Sequence, residues 1–231
     1  MKIKIKNMEL GAVPRVVGII DCPMPASRLQ GFIERGVDIF EVRADLFNKP
    51  VDRVVDYIVE IKKSIPSPLI GTIRENDLNR DDRVAWFALL AEHVDCVDIE
   101  LGMMGWEDVV EEVPKSTLVM VSEHDFNGTP DLAGLDGIVK RALEQRAKIV
   151  KIATMAACRA DVTRLLRFTE ECGTPLVTMA MGGIGVPSRI VAPLFGSLFS
   201  YGYLRKPLVP GQLPALKIAG ALDDYFPERH R

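Results

Sequence analysis

The chain has 231 residues, of which 48% are hydrophobic and 26% are charged, and this composition excludes a largely disordered protein. The 29 Lys and Arg residues against 32 Asp and Glu give a net charge of −3, which argues against nucleic acid as the main partner. No apolar run approaches the ~18 residues that a membrane helix needs. Residues 1–6 alternate Lys with Ile and lack the apolar core of a signal peptide. We therefore expect a cytoplasmic protein without membrane association.

The metal-binding residue types are sparse. There are four cysteines, none in a zinc-ligand spacing, and three histidines in the whole chain. This content predicts free thiols and argues against a multi-histidine metal site.

Short β-branched runs alternate with amphipathic segments along the chain. The runs cover residues 15–20, 38–43, 69–73, 96–101, 117–122, 148–153, 175–180 and 197–203. The helical patterns cover residues 26–35, 52–63, 83–93, 106–113, 131–146, 161–172 and 214–225. Strands that alternate with helices predict a parallel sheet, and nearly continuous apolar runs indicate strands buried on both faces.

Eight such units predict an α/β fold of the (β/α)₈ TIM barrel type, as a single catalytic domain over residues 1–231. The alternative is a doubly wound open sheet, but the glycine-rich turn that usually follows its first strand is missing from residues 19–23. The first twelve residues, in which Lys alternates with Ile, predict an extra β-hairpin. We expect this hairpin to close the bottom of the barrel, which is the end where the strands begin.

Lys151 lies in the middle of an apolar strand, and the catalytic groups of a barrel come from the carboxyl ends of its strands. Burial disfavours an ammonium ion and lowers its pKa, and a neutral amine attacks carbonyl groups to form an imine. The same pattern also fits a buried lysine that is paired with a carboxylate such as Glu100 or Glu41.

His124 follows the strand before Lys151, so both side chains are expected to face one cavity. A histidine can take a proton from carbon next to an imine and later return it, although a single histidine in this position also fits a structural role.

Three arginines, Arg43, Arg74 and Arg189, stand at the same rim and suggest an anionic substrate bound by guanidinium groups. Each of them alone also fits an ion-pair residue, and Asp45 is expected to hold one of them.

Eight short motifs follow one another along the chain, from residue 14 to the last helix. They are Glu41-x-Arg43-x-Asp45, Thr72-x-Arg74, Asp98-x-Glu100, Ser122-x-His124-Asp125-Phe126, Lys151-Ile152-Ala153, Met181-Gly182-x-x-Gly185-x-x-Ser188-Arg189, Phe195-Gly196-Ser197 and Pro210-Gly211-Gln212. In this combination the chain resembles type I 3-dehydroquinate dehydratase, the Schiff-base-forming class of the shikimate pathway.

The resemblance implies a TIM barrel in which Lys151 forms the imine and His124 is the general acid/base. It implies that Arg189 binds the substrate carboxylate, with Gln212 beside it on a lid loop. The residues implied around the ring hydroxyls are Glu41, Arg43 and Arg74. The implied reaction is the syn dehydration of 3-dehydroquinate without a metal or organic cofactor, and the implied assembly is a homodimer.

The chain departs from the family pattern around the substrate. Leu208 stands where the family usually has a lid serine, and Ile19 stands where a small polar residue is common. Residues 75–80 lack the Gly-Gly pair near which the family often has a carboxylate, so that carboxylate is not placed. Two alternatives stay open: a weakened paralogue that binds a shikimate-like metabolite, and another Schiff-base lyase or aldolase that uses the glycine loop at residues 182–185 for a phosphate.

Overall fold

The structure is a computed structural model that describes residues 3–230 and the side chains of residues 3–229. It contains a two-stranded hairpin and an eight-stranded parallel sheet. The hairpin strands are β1 (Ile3–Ile5) and β2 (Met8–Leu10). The parallel strands are β3 (Arg15–Ile20), β4 (Ile39–Arg43), β5 (Leu69–Thr72), β6 (Cys96–Glu100), β7 (Leu118–Asp125), β8 (Ile149–Met155), β9 (Leu176–Met181) and β10 (Phe199–Tyr203).

The parallel strands form a nearly closed barrel, which confirms the predicted fold. Their order is β10-β3-β4-β5-β6-β7-β8-β9, so neighbours in sequence are neighbours in space. The ladder is continuous from β10 through β3 to β9. At the seam between β9 and β10, the Leu198 amide donates to the Leu176 carbonyl over 2.9 Å, and the Thr178 amide donates to Ser197 Oγ over 3.1 Å.

Helices cover the outside of the barrel. They are α1 (Ala26–Ile33), α2 (Val51–Lys62), α3 (Arg83–Ala91), α4 (Trp106–Glu112), α5 (Leu132–Glu144), α6 (Arg159–Glu171), α7 (Ser188–Val191) and α8 (Ala215–Tyr225). Seven of them fall on the predicted amphipathic segments. The pattern missed α7, because four residues are too few to show a helical period. Within the described residues, no helix has the length and apolar character needed to cross a membrane.

The hairpin closes the bottom of the barrel, as predicted. Ile5 and Leu10 are buried and belong to the apolar cluster that fills the lower barrel, together with Ile39 and Ile149. Lys6 Nζ ties the hairpin turn to the Pro66 carbonyl over 2.9 Å. Residues 1 and 2 of the predicted hairpin lie outside the described part of the chain.

The barrel interior changes from apolar to polar towards its top. Because side chains alternate along a strand, residues two apart point to the same side. Thr72 lies opposite Asp98 on β6, and Ser122 on β7 lies opposite Lys151 on β8. Ser122 Oγ and Lys151 Nζ both donate to the Asp98 carboxylate, and Thr72 Oγ1 donates to Glu41. These polar side chains therefore form one layer above the apolar cluster. The strand β7 continues three residues past its predicted end and carries His124 to the rim of this layer.

Candidate active site

Lys151 is buried among carboxylates and one aromatic ring, with 4% of its surface exposed. Its Nζ donates to Asp98 Oδ2 over 2.6 Å and lies 3.7 Å from Glu41 Oε1. The face of the Tyr201 ring lies on another side, with its centroid 4.4 Å from Nζ. The pairing anticipated from the sequence is found with Glu41 and not with Glu100, and the main partner, Asp98, was not anticipated.

Asp98 is the centre of this polar layer. Its fully buried carboxylate also accepts from Arg74 Nη2 over 3.0 Å and from Ser122 Oγ over 2.5 Å. Burial acts to raise the pKa of Asp98, but the positive charges of Arg74 and Lys151 outweigh it and hold the pKa below its usual range. Asp98 is therefore an anion that fixes the position of the lysine amine. Glu41 is held separately, by Thr72 Oγ1 at 2.5 Å.

His124 stands at the carboxyl end of β7, in the same cavity as Lys151. Burial, followed by the positive charges of Lys151 and Arg74, lowers the pKa of His124 to about 3. The imidazole is therefore neutral at physiological pH and can accept a proton. Its ring stacks on Phe126 with a centroid distance of 6.5 Å and an interplanar angle of 18°.

This lowered pKa predicts a loss of stability in acid that depends on His124. Between pH 6.5 and pH 3 the unfolded chain binds the proton that the folded site rejects, so the free energy of unfolding falls as the pH falls. We expect the wild type to lose about 2 kcal/mol more than His124→Gln between pH 8 and pH 5. Urea unfolding at both pH values measures this difference. His93→Gln, outside the site, is the control for the removal of one imidazole. Equal losses in the wild type and His124→Gln would contradict the assigned pKa.

Two of the three predicted arginines have a carboxylate partner inside the protein. Asp45 binds Arg43 through two hydrogen bonds of 3.0 and 2.7 Å, which confirms the expected role of Asp45. Arg74 donates to Asp98 and, over 2.8 Å, to Ser122 Oγ, and its Nη1 has no partner within the described chain. These contacts hold both guanidinium groups in place at the rim.

Arg189, on α7, is different because its charge has no carboxylate partner among the residues that the structure describes. It is 1% exposed, its Nη1 contacts only Met179 Sδ at 3.5 Å, and its Nε and Nη2 have no hydrogen-bond partner in the described residues. Burial lowers its pKa to about 10, which still leaves it charged at pH 7. A buried, charged donor without an acceptor is costly, so the geometry favours an anion from outside the protein at this position.

The predicted site residues line one inner cavity of about 60 Å³. All seven of them are among its lining residues: Glu41, Arg43, Arg74, His124, Lys151, Arg189 and Gln212. A wider cavity of about 410 Å³ lies outside it and shares its walls at Arg43, Arg74 and His124. The sequence did not single out Tyr201, Met179 and Val209, which also line the inner cavity. The sequence offered two signals for them: Tyr201 and Met179 lie on predicted strands, and Val209 precedes the Pro210-Gly211-Gln212 motif. Apolar and aromatic side chains at such positions also fit a hydrophobic core, so these signals did not identify a site.

The lid loop after β10 lies over both cavities through Leu208 and Val209. The Leu208 amide donates to Gln212 Oε1 over 2.7 Å, and Leu208 packs on the interior apolar cluster. At its start, Arg205 forms two hydrogen bonds with Asp21, of 2.9 and 3.0 Å. The departure from the family serine therefore places an apolar side chain over the site.

The glycine loop at residues 182–185 serves close packing. The Gly182 amide donates to the Pro210 carbonyl over 3.3 Å, and the Gly185 amide donates to the Gly182 carbonyl over 3.1 Å. A Cβ atom on Gly211 would lie 2.5 Å from the Gly182 carbonyl oxygen. Because these two amides are already used, the contacts give no support to a phosphate cradle at this loop.

Comparison with known proteins agrees with this geometry. The sequence profile described as type I 3-dehydroquinase matches residues 26–227. The chain belongs to the type I 3-dehydroquinase family. It is therefore an enzyme of the hydro-lyase class that acts on a small molecule. A 3-dehydroquinate dehydratase from Methanocella arvoryzae is 37% identical to the chain over 188 residues, which cover 78% of this chain and 84% of that protein.

Solved structures of the type I 3-dehydroquinase family show the same barrel. The chain is similar to a type I 3-dehydroquinate dehydratase from Clostridium difficile, determined with covalent modified comenic acid, with a TM-score of 0.84, 27% identity and 99% of both chains covered. It is also similar to a 3-dehydroquinate dehydratase from Geobacillus kaustophilus, with a TM-score of 0.85, 27% identity, and 100% of this chain and 98% of that chain covered.

Proposed function

We propose that the protein dehydrates 3-dehydroquinate to 3-dehydroshikimate in the shikimate pathway, through an imine on Lys151 and with His124 as general acid/base. The observation that carries this proposal is the inner cavity. It brings together a buried lysine amine, a neutral histidine and Arg189, whose guanidinium group has unpartnered nitrogen atoms within the described residues. The family membership supports the overall reaction. The residues of the cavity support the proposed roles.

Imine formation begins when the Lys151 ammonium passes a proton to Glu41, 3.7 Å away, since Asp98 is held as an anion. The neutral amine adds to the C3 ketone. Glu41 returns this proton when the resulting carbinolamine loses water to give an iminium ion. This cation sits where the ammonium was, between the same carboxylates and the Tyr201 ring. The positive nitrogen withdraws electrons and makes the C2 proton acidic.

His124 then removes the C2 proton and an enamine forms. The lowered pKa of His124 keeps the imidazole neutral before this step and makes its protonated form a strong acid afterwards. The protonated imidazole gives its proton to the C1 hydroxyl, which leaves as water on the same side of the ring. Hydrolysis of the remaining iminium consumes one water, releases 3-dehydroshikimate and restores Lys151.

Binding of the substrate follows from the charges of the rim. The carboxylate of 3-dehydroquinate satisfies the unpartnered guanidinium atoms of Arg189, with Gln212 beside it on the lid. Glu41, Arg43 and Arg74 surround the ring hydroxyls. The same proposal makes residues 1–231 one catalytic domain and the enzyme a cytoplasmic homodimer that uses no metal or organic cofactor. It does not act on nucleic acid or membranes.

Borohydride reduction in the presence of 3-dehydroquinate, followed by intact-protein mass spectrometry, tests the imine directly. We expect a substrate-derived mass adduct on the wild type and none on Lys151→Ala. Lys148→Ala, which removes an exposed lysine immediately before the same strand, is the matched control and should form the adduct. Absence of the adduct from folded wild type in excess substrate would refute the mechanism and favour a binding paralogue.

A further inference from the structure

Tyr201 places a phenol in the wall of the inner cavity. It lies on β10, is 3% exposed and shares the cavity with Lys151 and Arg189. Its hydroxyl is buried and has no hydrogen-bond partner anywhere in residues 3–230. A buried phenol hydroxyl normally finds a partner, because leaving it unpaired costs free energy.

The ring of Tyr201 belongs to the same apolar cluster as Phe199, and its hydroxyl is a polar atom without a partner in the described chain. Phe199, two residues earlier on the same face, packs against Tyr201 with a centroid distance of 5.7 Å and an interplanar angle of 68°. Phe199 belongs to the apolar layer and needs no polar atom there. The unpaired hydroxyl belongs to Tyr201, two residues further along β10, where the strand reaches the inner cavity. This position indicates a partner that comes from the ligand.

The surroundings make the hydroxyl a donor. Burial, followed by the negative charges of Glu41 and Asp98, raises the pKa of Tyr201 well above its ordinary value. The phenol therefore stays protonated. Since the ring centroid lies 4.4 Å from Lys151 Nζ, the phenol belongs to the wall nearest the carbon that would form the imine. Arg189 already supplies donors for a carboxylate elsewhere in the cavity.

We propose that Tyr201 is a specificity-determining residue whose hydroxyl donates a hydrogen bond to the substrate hydroxyl next to the carbon that reacts with Lys151. In 3-dehydroquinate this is the C4 hydroxyl. The ligand class is a cyclic keto acid with a hydroxyl beside its ketone. This inference rests on the proposed function, because the reacting carbon is defined by the imine at Lys151.

The test compares the wild type, Tyr201→Phe and Tyr203→Phe on 3-dehydroquinate and on its 4-deoxy analogue. Tyr203 lies two residues further along β10 and does not line the inner cavity, so it is the matched control. With 3-dehydroquinate we expect KM to rise about tenfold in Tyr201→Phe with little change in kcat. With the 4-deoxy analogue this difference should vanish, because both proteins then lack the hydrogen bond.

A second readout separates ligand binding from a structural role. The melting temperature of Tyr201→Phe should equal or exceed that of the wild type, since the hydroxyl has no protein partner to lose. An unchanged KM, a penalty that persists with the 4-deoxy analogue, or a lowered melting temperature would each overturn the inference. Borohydride trapping keeps the two proposals apart: an adduct at Lys151 in both proteins with unchanged KM refutes only the role of Tyr201, whereas no adduct on the wild type refutes the proposed function.

Discussion

Replacement of Lys151 by Met is expected to lower kcat on 3-dehydroquinate by roughly 10⁴-fold or more. The side chain keeps much of its length and loses the amine, so no imine forms and the C2 proton is not acidified. The remaining His124 and Arg189 still bind and orient the substrate. Steady-state kinetics by the absorbance of the conjugated product measures the effect, and more than about 1% of wild-type kcat would contradict the imine mechanism.

The same variant should fold as stably as the wild type or more so. Removing the ammonium leaves Asp98 with its hydrogen bonds from Arg74 and Ser122, so no carboxylate is left without a partner. Removing one partner of a buried ion pair is destabilising when the other charge is left uncompensated, but here Arg74 still compensates Asp98. Urea unfolding checks this, and Lys148→Met, at an exposed position, controls for the loss of one positive charge.

Replacement of Arg189 by Met should weaken substrate binding and stabilise the protein at the same time. We expect kcat/KM to fall roughly 10²-fold, mainly through KM, because charged hydrogen bonds to the carboxylate are lost. We expect the free energy of unfolding to rise by about 1–2 kcal/mol, because a buried guanidinium with two unpartnered nitrogen atoms is removed.

Arg43→Met is the matched comparison for Arg189→Met. It breaks the paired hydrogen bonds to Asp45 and leaves that buried carboxylate alone, so the free energy of unfolding should fall by about 3 kcal/mol. Both variants should lose activity, and the sign of the stability change distinguishes a ligand-binding arginine from a structural one. A similar destabilisation in both would show that Arg189 is structural.

Strand positions were predictable because burial on both faces leaves a continuous apolar run. The first parallel strand, Arg15–Ile20, has the bounds that the sequence predicted. The end of β7 was missed because Glu123, His124 and Asp125 are polar, and the apolar signal stops before them. They extend the strand since their side chains meet the cavity or solvent rather than the core.

The choice of partners was not predictable from the sequence. Asp98 and Glu100 are two residues apart, so their side chains point to the same side of the strand. The alternation of side chains alone therefore does not say which of them reaches Lys151. The Cα register would even favour Glu100, because Glu100 aligns with Ser122 and Ser122 aligns with Lys151. In the packed barrel, where the strands are tilted, Lys151 Nζ instead donates to Asp98. Likewise, the sequence shows three arginines at the rim, but only the packed structure shows that Arg189 has no carboxylate beside it in the described part of the chain.

The seam between β9 and β10 divides the site residues into two groups that differ in how firmly the backbone holds them. The strands β4 to β8, which carry Glu41, Asp98 and Lys151, share an unbroken ladder of backbone hydrogen bonds. Arg189 and the lid, by contrast, belong to the segments that flank the seam, where few hydrogen bonds cross. On the proposed function, the substrate-binding Arg189 and the lid thus lie beside the seam, and the nucleophile Lys151 lies in the continuous ladder. The barrel therefore combines a part that is rigidly held by backbone hydrogen bonds with a part that is held by fewer of them.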